Sequence, residues 1–360
     1  METQSWEARA AAKRADTLDK IPKEWRLSAA DLTRAEAQRD LTGSFIEQFL
    51  TPEEIAITTK DSVSLVNEIK ERQLTAVQVT TAFCKRAAIA HQIVNSPSSA
   101  LSLFPPCDPI TNPSQNNCLH EIFFTQALAR AAELDALHTT TGTTTGSLHG
   151  LPISLKDQFH VKGVDTTMGY IGWIGSNLGI TNPSQAHLIE SQLTTELLSL
   201  GAVLYCKTSL PQTLLFGETK NNIIGQTLNP HNHHLSCGGS SGGEGALLAL
   251  GGSNLGVGTD IGGSVRIPAA FNGVFSLKPT PERLSYRDVA NTNPGQDTYR
   301  STVGFLSTSL GGLELGLRAV LGTRPWVRDP AVVPIPFREE VARELKGRME
   351  EGGLKFGVLW

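Results

Sequence analysis

Read for the spacing of its apolar positions, the chain opens with helices. Residues 2–20 carry many charges at helical spacing and stop at Pro22. Asp31 is a candidate cap for a second helix reaching Phe49, and Thr51-Pro52-Glu53-Glu54 reads as a third helix start. Asp61 caps a segment carrying Val63, Leu65, Val66 and Ile69. Between Thr75 and Val94, the residues Val77, Val79, Phe83 and Ala87 form one stripe, as a core-facing helix requires. Residues 1–60 are therefore expected to be a helical arm packed outside a main domain over 61–360. An irregular insert at 95–117 holds Pro97, Pro105, Pro106, Pro109 and Pro113. After it, Glu121 to Leu137 is amphipathic and predicts another helix.

Past the polar linker from Thr139 to Ser147 the period changes. Leu151-Pro152-Ile153-Ser154-Leu155-Lys156 is an apolar strand ending in a lysine. His187 to Leu200 reads as a helix, Ala202 to Cys206 as a strand, and Leu210-Pro211-Gln212 as the opening of a short element. Ala246 to Leu250 is apolar on every side, which predicts a buried helix stopped by Gly251 and Gly252. Leu255 to Val257 is a short buried strand. A polar loop to Ser301, helices near Leu310–Leu321 and Glu339–Arg348, and a strand at Lys355–Trp360 follow. Strands alternating with helices predict an α/β fold, a mixed twisted sheet covered by helices on both faces. Ending on an apolar strand, the sheet is expected to be incomplete at its C-terminal side, with an edge prone to association.

Composition narrows the class. An apolar content of 39% and a charged content of 18% are those of a soluble globular protein. The net charge of −4 gives no electrostatic case for nucleic acid or an anionic membrane. No run of 18 apolar residues predicts a membrane span, and residues 1–10 lack the apolar core of a signal peptide. Cys84, Cys107, Cys118, Cys206 and Cys237 are irregularly spaced, as expected of reduced thiols in a cytoplasmic protein.

The candidate chemistry lies between Cys237 and Thr280. This stretch reads Cys-Gly-Gly-Ser-Ser-Gly-Gly-Glu-Gly-Ala, an apolar run, then Gly-Thr-Asp-Ile-Gly-Gly-Ser-Val-Arg-Ile-Pro. Glycine this dense suits a backbone whose N–H groups must converge on something. Ser241 and Glu244 have the spacing of a capping box. Thr259 and Asp260 end the strand, and Gly262-Gly263-Ser264 turns sharply before a helix with Pro268 in its first turn. Ser264 is thus a candidate nucleophile, with the N–H groups of Ile261, Gly262 and Gly263 beside it as an oxyanion hole. A serine needs a base, and no histidine follows His234 in this stretch. A lysine can serve if burial lowers its pKa, and Lys156 at its strand end is the candidate.

On these residues the chain resembles the amidase signature family, its general, acetamidase-like branch. The two glycine–serine motifs and the upstream Leu-Pro-Ile-Ser-Leu-Lys-Asp carry the resemblance, which extends over about 61–360. It implies the amidase-signature fold and a Ser-Ser-Lys triad: Ser264 as nucleophile, Ser240 as bridge, Lys156 as base. It further implies an oxyanion hole over Ile261, Gly262, Gly263 and Ser264. Ser241, Thr259, Asp260 and Arg266 support the site, and a substrate-side loop holds Thr167, Met168 and Gly169. The implied reaction is hydrolysis of a carboxylic amide, acetamide among the candidates, to acid and ammonia through an acyl-enzyme, with no cofactor and no metal. His231, His233 and His234 lack ligand spacing for zinc, and the Gly-x-x-x-x-Gly-Lys phosphate loop is absent. Two other readings stay open: a glutamine-hydrolysing amidotransferase subunit, and a truncated chain that keeps the motif without a competent pocket. The partner is a small amide, and a homodimer is left open.

Overall fold

The computed structural model describes residues 5–93, 118–176, 178, 187–293, 295–353, 355 and 357. The insert expected at 95–117 lies outside these residues, as does almost all of the strand expected at 355–360.

The N-terminal arm is helical: α1 (Trp6–Asp19), α2 (Ala29–Ala37), α3 (Ser44–Glu47) and α4 (Pro52–Thr58). The helix expected from Asp31 through Phe49 is two. Ser28, not Asp31, is its N-cap, and Asp31 completes a capping box with it. Past Ala37 the Asp40 carboxylate takes the Thr42 N–H at 2.9 Å, a local turn that competes with helix, and Gly43 at φ +53° starts α3. Thr51 and Glu54 form the capping box of α4. Ile21, Ala35, Leu41, Ile46 and Ile57 share one apolar cluster with Leu155 and Val257 of the central strands, so the arm is packed into the body of the fold. Each of these isoleucine and leucine side chains contributes about 1.5–3 kcal/mol of burial.

Next come α5 (Ser62–Lys70), capped by Asp61 through the Ser64 N–H at 2.8 Å, and α6 (Ala76–Ile93). Then β1 (Leu119–Ile122) precedes α7 (Phe124–Thr141). Glu121 and Ile122 therefore belong to a strand rather than to the expected helix. The buried Glu121 carboxylate is met by Lys13 of α1 at 2.6 Å, which lets an acidic residue sit in the sheet. The remaining elements are β2 (Pro152–Lys156), α8 (Gln192–Ser199), β3 (Val203–Thr208), the short pair β4 (Lys220–Asn221) and β5 (Gly225–Gln226), α9 (Gly242–Ala249), β6 (Leu255–Asp260), α10 (Arg266–Asn272), β7 (Phe275–Leu277), β8 (Thr302–Ser307), α11 (Leu310–Gly322) and α12 (Glu339–Glu350). Leu210–Gln212 makes only a turn, closed by Leu214 N–H on the Pro211 carbonyl at 3.1 Å.

One six-stranded sheet runs in the order β1-β3-β2-β6-β8-β7. Its centre is parallel, with β2 between β3 and β6; β1, β8 and β7 run antiparallel to their neighbours. The α/β class and the mixed sheet clothed in helices agree with the expectation, α9 lying against β2, β3, β6 and β8. Among the described residues no helix is long and apolar enough to cross a membrane.

Candidate active site

Parallel neighbours open their carboxyl ends on the same side of a sheet. Lys156 closes β2, and Thr259 and Asp260 close β6 beside it. Ser240 arrives from the loop that enters α9. Its preceding glycine has no room for a side chain: a Cβ on Gly239 would lie 2.5 Å from the Phe216 carbonyl oxygen. The Gly239–Ser240 peptide is cis.

Lys156 is wholly buried. Its Nζ lies 2.7 Å from Ser240 Oγ and 2.9 Å from Thr259 Oγ1. Burial brings its pKa down to about 7, against the opposing pull of the Asp260 and Glu244 carboxylates. An amine so placed is neutral in a sizeable fraction at neutral pH and can accept a proton.

Ser264 sits on the turn from β6 to α10, half-buried, and its carbonyl accepts from the Ser241 N–H at 3.0 Å. The Ser241 hydroxyl points back to the Thr259 carbonyl at 3.4 Å. Asp260 shapes the turn. Its carboxylate receives the Gly263 N–H at 2.8 Å, the Val265 N–H at 3.1 Å, and Arg266 through Nε and NH2 at 3.0 and 2.9 Å. Burial would raise this carboxyl, but Arg266 and the two backbone donors outweigh it and hold the pKa below the ordinary value. At φ +136° Gly263 is in a region that side chains avoid, and a Cβ there would meet Ile267 Cδ1 at 2.7 Å. Of the expected oxyanion set, Ile261, Gly262, Gly263 and Ser264, the Gly263 N–H is the one that Asp260 takes. No acceptor among the described residues engages the other three N–H groups.

The expected capping box of α9 does not form. Ser241 is the N-cap but makes no side-chain cap bond, and Glu244 points away into the sheet. There it accepts Ser154 Oγ at 2.6 Å and Thr208 Oγ1 at 2.9 Å. Burial raises this carboxyl to about 7, only partly offset by those hydroxyls and Lys156. Spacing alone could not separate a cap from a carboxyl that two strand hydroxyls compete for.

Thr167, Met168 and Gly169 lie in one buried loop. Asp157 Oδ2 takes the Thr167 and Met168 N–H groups at 3.1 and 2.7 Å, while Gly169 at φ +76° backs onto Asn221. The loop histidines have structural partners: His231 Nε2 lies 3.1 Å from the Asn272 carbonyl, and the His233 N–H donates to the Arg39 carbonyl at 3.3 Å. Sequence reasoning passed over Gln158, two residues beyond Lys156. Its Oε1 lies 2.5 Å from Thr259 Oγ1 and its Nε2 2.7 Å from the Ala290 carbonyl. It lies past the end of β2, so no strand periodicity marked it.

A family profile described as Amidase matches residues 107–360. The chain is 43% identical over 354 residues to an acetamidase of Emericella nidulans, covering 98% of this chain and 58% of that protein. It is 42% identical to an acetamidase of Aspergillus oryzae, covering 99% and 59%. Among solved structures it superposes on a fatty acid amide hydrolase with a TM-score of 0.81 at 34% identity, over 93% of this chain and 54% of that one. A peptide amidase of Stenotrophomonas maltophilia matches with a TM-score of 0.61 at 26% identity, over 78% and 51%. The chain thus spans rather more than half the length of these relatives. With its fold, its motifs and its relatives in agreement, the chain belongs to the amidase, or amidase signature, family.

Proposed function

We propose that the site hydrolyses a carboxylic amide through an acyl-enzyme, with Ser264 as nucleophile, Ser240 as bridge and Lys156 as base. The observation that carries this reading is a wholly buried lysine, brought down to about pKa 7, within 2.7 Å of a serine on the loop that packs against the Ser264 turn. Neutral Lys156 takes the Ser240 proton as Ser240 takes that of Ser264. The Ser264 oxygen bonds to the carbonyl carbon, and the oxyanion faces the N–H groups of Ile261, Gly262 and Ser264. Collapse breaks the C–N bond while the relay returns the proton to the leaving nitrogen, releasing ammonia. Water then cleaves the ester to the free acid. No step draws on a metal or cofactor.

A small aliphatic amide such as acetamide is the proposed substrate, on the strength of the two fungal relatives named acetamidases. Cys84, Cys118, Cys206 and Cys237 are buried free thiols, which suits a reducing compartment, and we place the protein in the cytoplasm.

A fluorophosphonate probe tests the assignment. It should form one covalent adduct on the folded chain, mapped by mass spectrometry to Ser264 and absent in Ser264→Ala. An adduct on another serine, or one that persists in the variant, overturns it.

A further inference from the structure

We infer that Gln158 is a positioning residue: its side-chain amide sets the direction of the hydrogen-bond chain at Lys156, leaving the amine's lone pair to Ser240. The inference rests on the serine–serine–lysine reading above.

Gln158 is buried just past the end of β2. Its Nε2 lies 2.7 Å from the Ala290 carbonyl, and the Ala290 N–H returns a bond to the Gln158 carbonyl at 3.0 Å. A backbone carbonyl can only accept, so the amide nitrogen must be the atom that faces it. The same nitrogen donates to the Tyr286 hydroxyl at 3.2 Å. The orientation of the amide is thereby settled by chemistry. Its oxygen must be the atom facing Thr259 Oγ1, at 2.5 Å.

The remaining steps follow in order. A carbonyl oxygen cannot donate, so the Thr259 hydroxyl gives its proton to Gln158. Thr259 Oγ1 can then only accept from Lys156, at 2.9 Å. A neutral primary amine has two N–H bonds and one lone pair. With an N–H spent on Thr259, the lone pair is left for the Ser240 hydroxyl at 2.7 Å. If Thr259 donated to Lys156 instead, it would occupy that lone pair, and the amine could only donate to Ser240. It would then not be a base. Gln158 excludes this arrangement. The other ionisable groups around the chain are Asp260 at the end of β6, Glu244 from α9 and the Tyr286 phenol. Burial pushes that phenol above its ordinary pKa and keeps it a neutral hydroxyl.

The test uses the full chain with 15N-labelled lysine. The Lys156 signal is assigned by its loss in Lys156→Met, and its titration is followed alongside the pH dependence of fluorophosphonate inactivation. Gln158→Met keeps the shape and removes the acceptor. It should slow inactivation on the high-pH plateau by on the order of 10-fold or more, with probe affinity unchanged. It should also lower the Lys156 midpoint, because the freed Thr259 hydroxyl can now donate to the neutral amine. Gln158→Glu keeps the acceptor; it should recover part of the rate and raise the midpoint through its added charge. Thr259→Val should cost little more in the Gln158→Met background, since both break one chain. Unchanged rate and midpoint in Gln158→Met overturn the inference. So do equal rate losses in Gln158→Met and Gln158→Glu with the midpoint fixed, which would mean packing alone. Should Gln158→Met not fold, Gln158→Glu and Thr259→Val carry the same two readouts. A Lys156 midpoint that responds to Gln158 in a chain never labelled at Ser264 would sink the serine–serine–lysine reading and leave the hydrogen-bond chain standing.

Discussion

Lys207 Nζ of β3 lies 3.0 Å from Asp157 Oδ1, and both side chains are wholly buried. The lysine also reaches the Asp165 carbonyl and Thr166 Oγ1, each at 2.7 Å, while the other carboxylate oxygen holds the Thr167 and Met168 N–H groups. Two opposite charges thus hold the 165–168 loop against the sheet, one residue from the candidate base.

Breaking this pair should be costly. Asp157→Ala leaves the Lys207 ammonium buried without its partner and should destabilise the fold by about 3–5 kcal/mol, read by urea unfolding. The pair also sets an acid limit. Burial would raise the Asp157 carboxyl, but Lys207, His120 and the Met168 N–H outweigh it, so its folded pKa lies below the ordinary value. Its stabilisation is therefore complete above the unfolded pKa and is lost as pH falls through the folded one, below about 4. Asp157→Asn should flatten that acid limb, and an unchanged limb would show that the pair does not control it.

Amide turnover should rise with pH through about 7, where Lys156 loses its proton. Lys156→Ala should lose this limb and about 10²- to 10⁴-fold in rate while melting cooperatively. Ser240→Ala breaks the relay between base and nucleophile and should also lose rate with the fold retained. A wild-type rate in either variant, or a wild-type pH limb in Lys156→Ala, removes that residue from the mechanism.

Glu244 and Lys156 should act on stability with opposite signs. The Glu244 pKa is raised from 4.5 to about 7 on folding, so its contribution is full below 4.5 and fades as pH rises through 7. The Lys156 pKa is lowered from 10.5 to about 7, so folding gains as pH rises from 7 toward 10.5. Glu121, also raised to about 7, adds to the Glu244 effect, while His91, His120 and His160, each brought down to about 4 by burial, oppose it below pH 6.5. Glu244→Gln should remove this group's share, so that between pH 4.5 and 7 the variant gains on the order of 2–3 kcal/mol relative to the wild type. Urea midpoints of both proteins at pH 5 and 7 read the difference; an equal pH 5-to-7 change in the two would exclude a Glu244 contribution.

Much of the fold was legible where a local signal had no competitor. The Asp61 cap, the stripe of Val79, Phe83 and Ala87, and the apolar run ending at Lys156 all formed as their spacing predicts. The misreadings share a cause. Glu121 looked helical because its partners, Lys13 and Lys20, lie about a hundred residues away, and their charges are what offset a buried carboxylate in a strand. Glu244 looked like a cap because Ser154 and Thr208, which claim it, are distant in sequence. The strand β8 went unremarked because its pairing with β6 and β7 is long-range. At the site, Lys156 and Ser240 were legible through motifs and do lie in contact. Gln158 was not, because its meaning depends on the direction of bonds that only folding creates.

The parallel pairing of β2 with β6 aligns Leu155 with Val257. That alignment fixes which way the Lys156 amine points and how far it lies from Thr259, 103 positions along the chain. Slipping the pairing by one residue would turn the amine to the opposite side of the sheet, and slipping it by two would carry it about 6.6 Å along the strand. The stretch joining the two strands then adds β3 beside β2 and the loop that brings Ser240 to Lys156 and Ser241 to the Ser264 carbonyl. In this protein the geometry of the candidate site is stored as an alignment between two strands, and a substitution in either that altered their phase would part Lys156 from Thr259 with every one of the site's side chains still present.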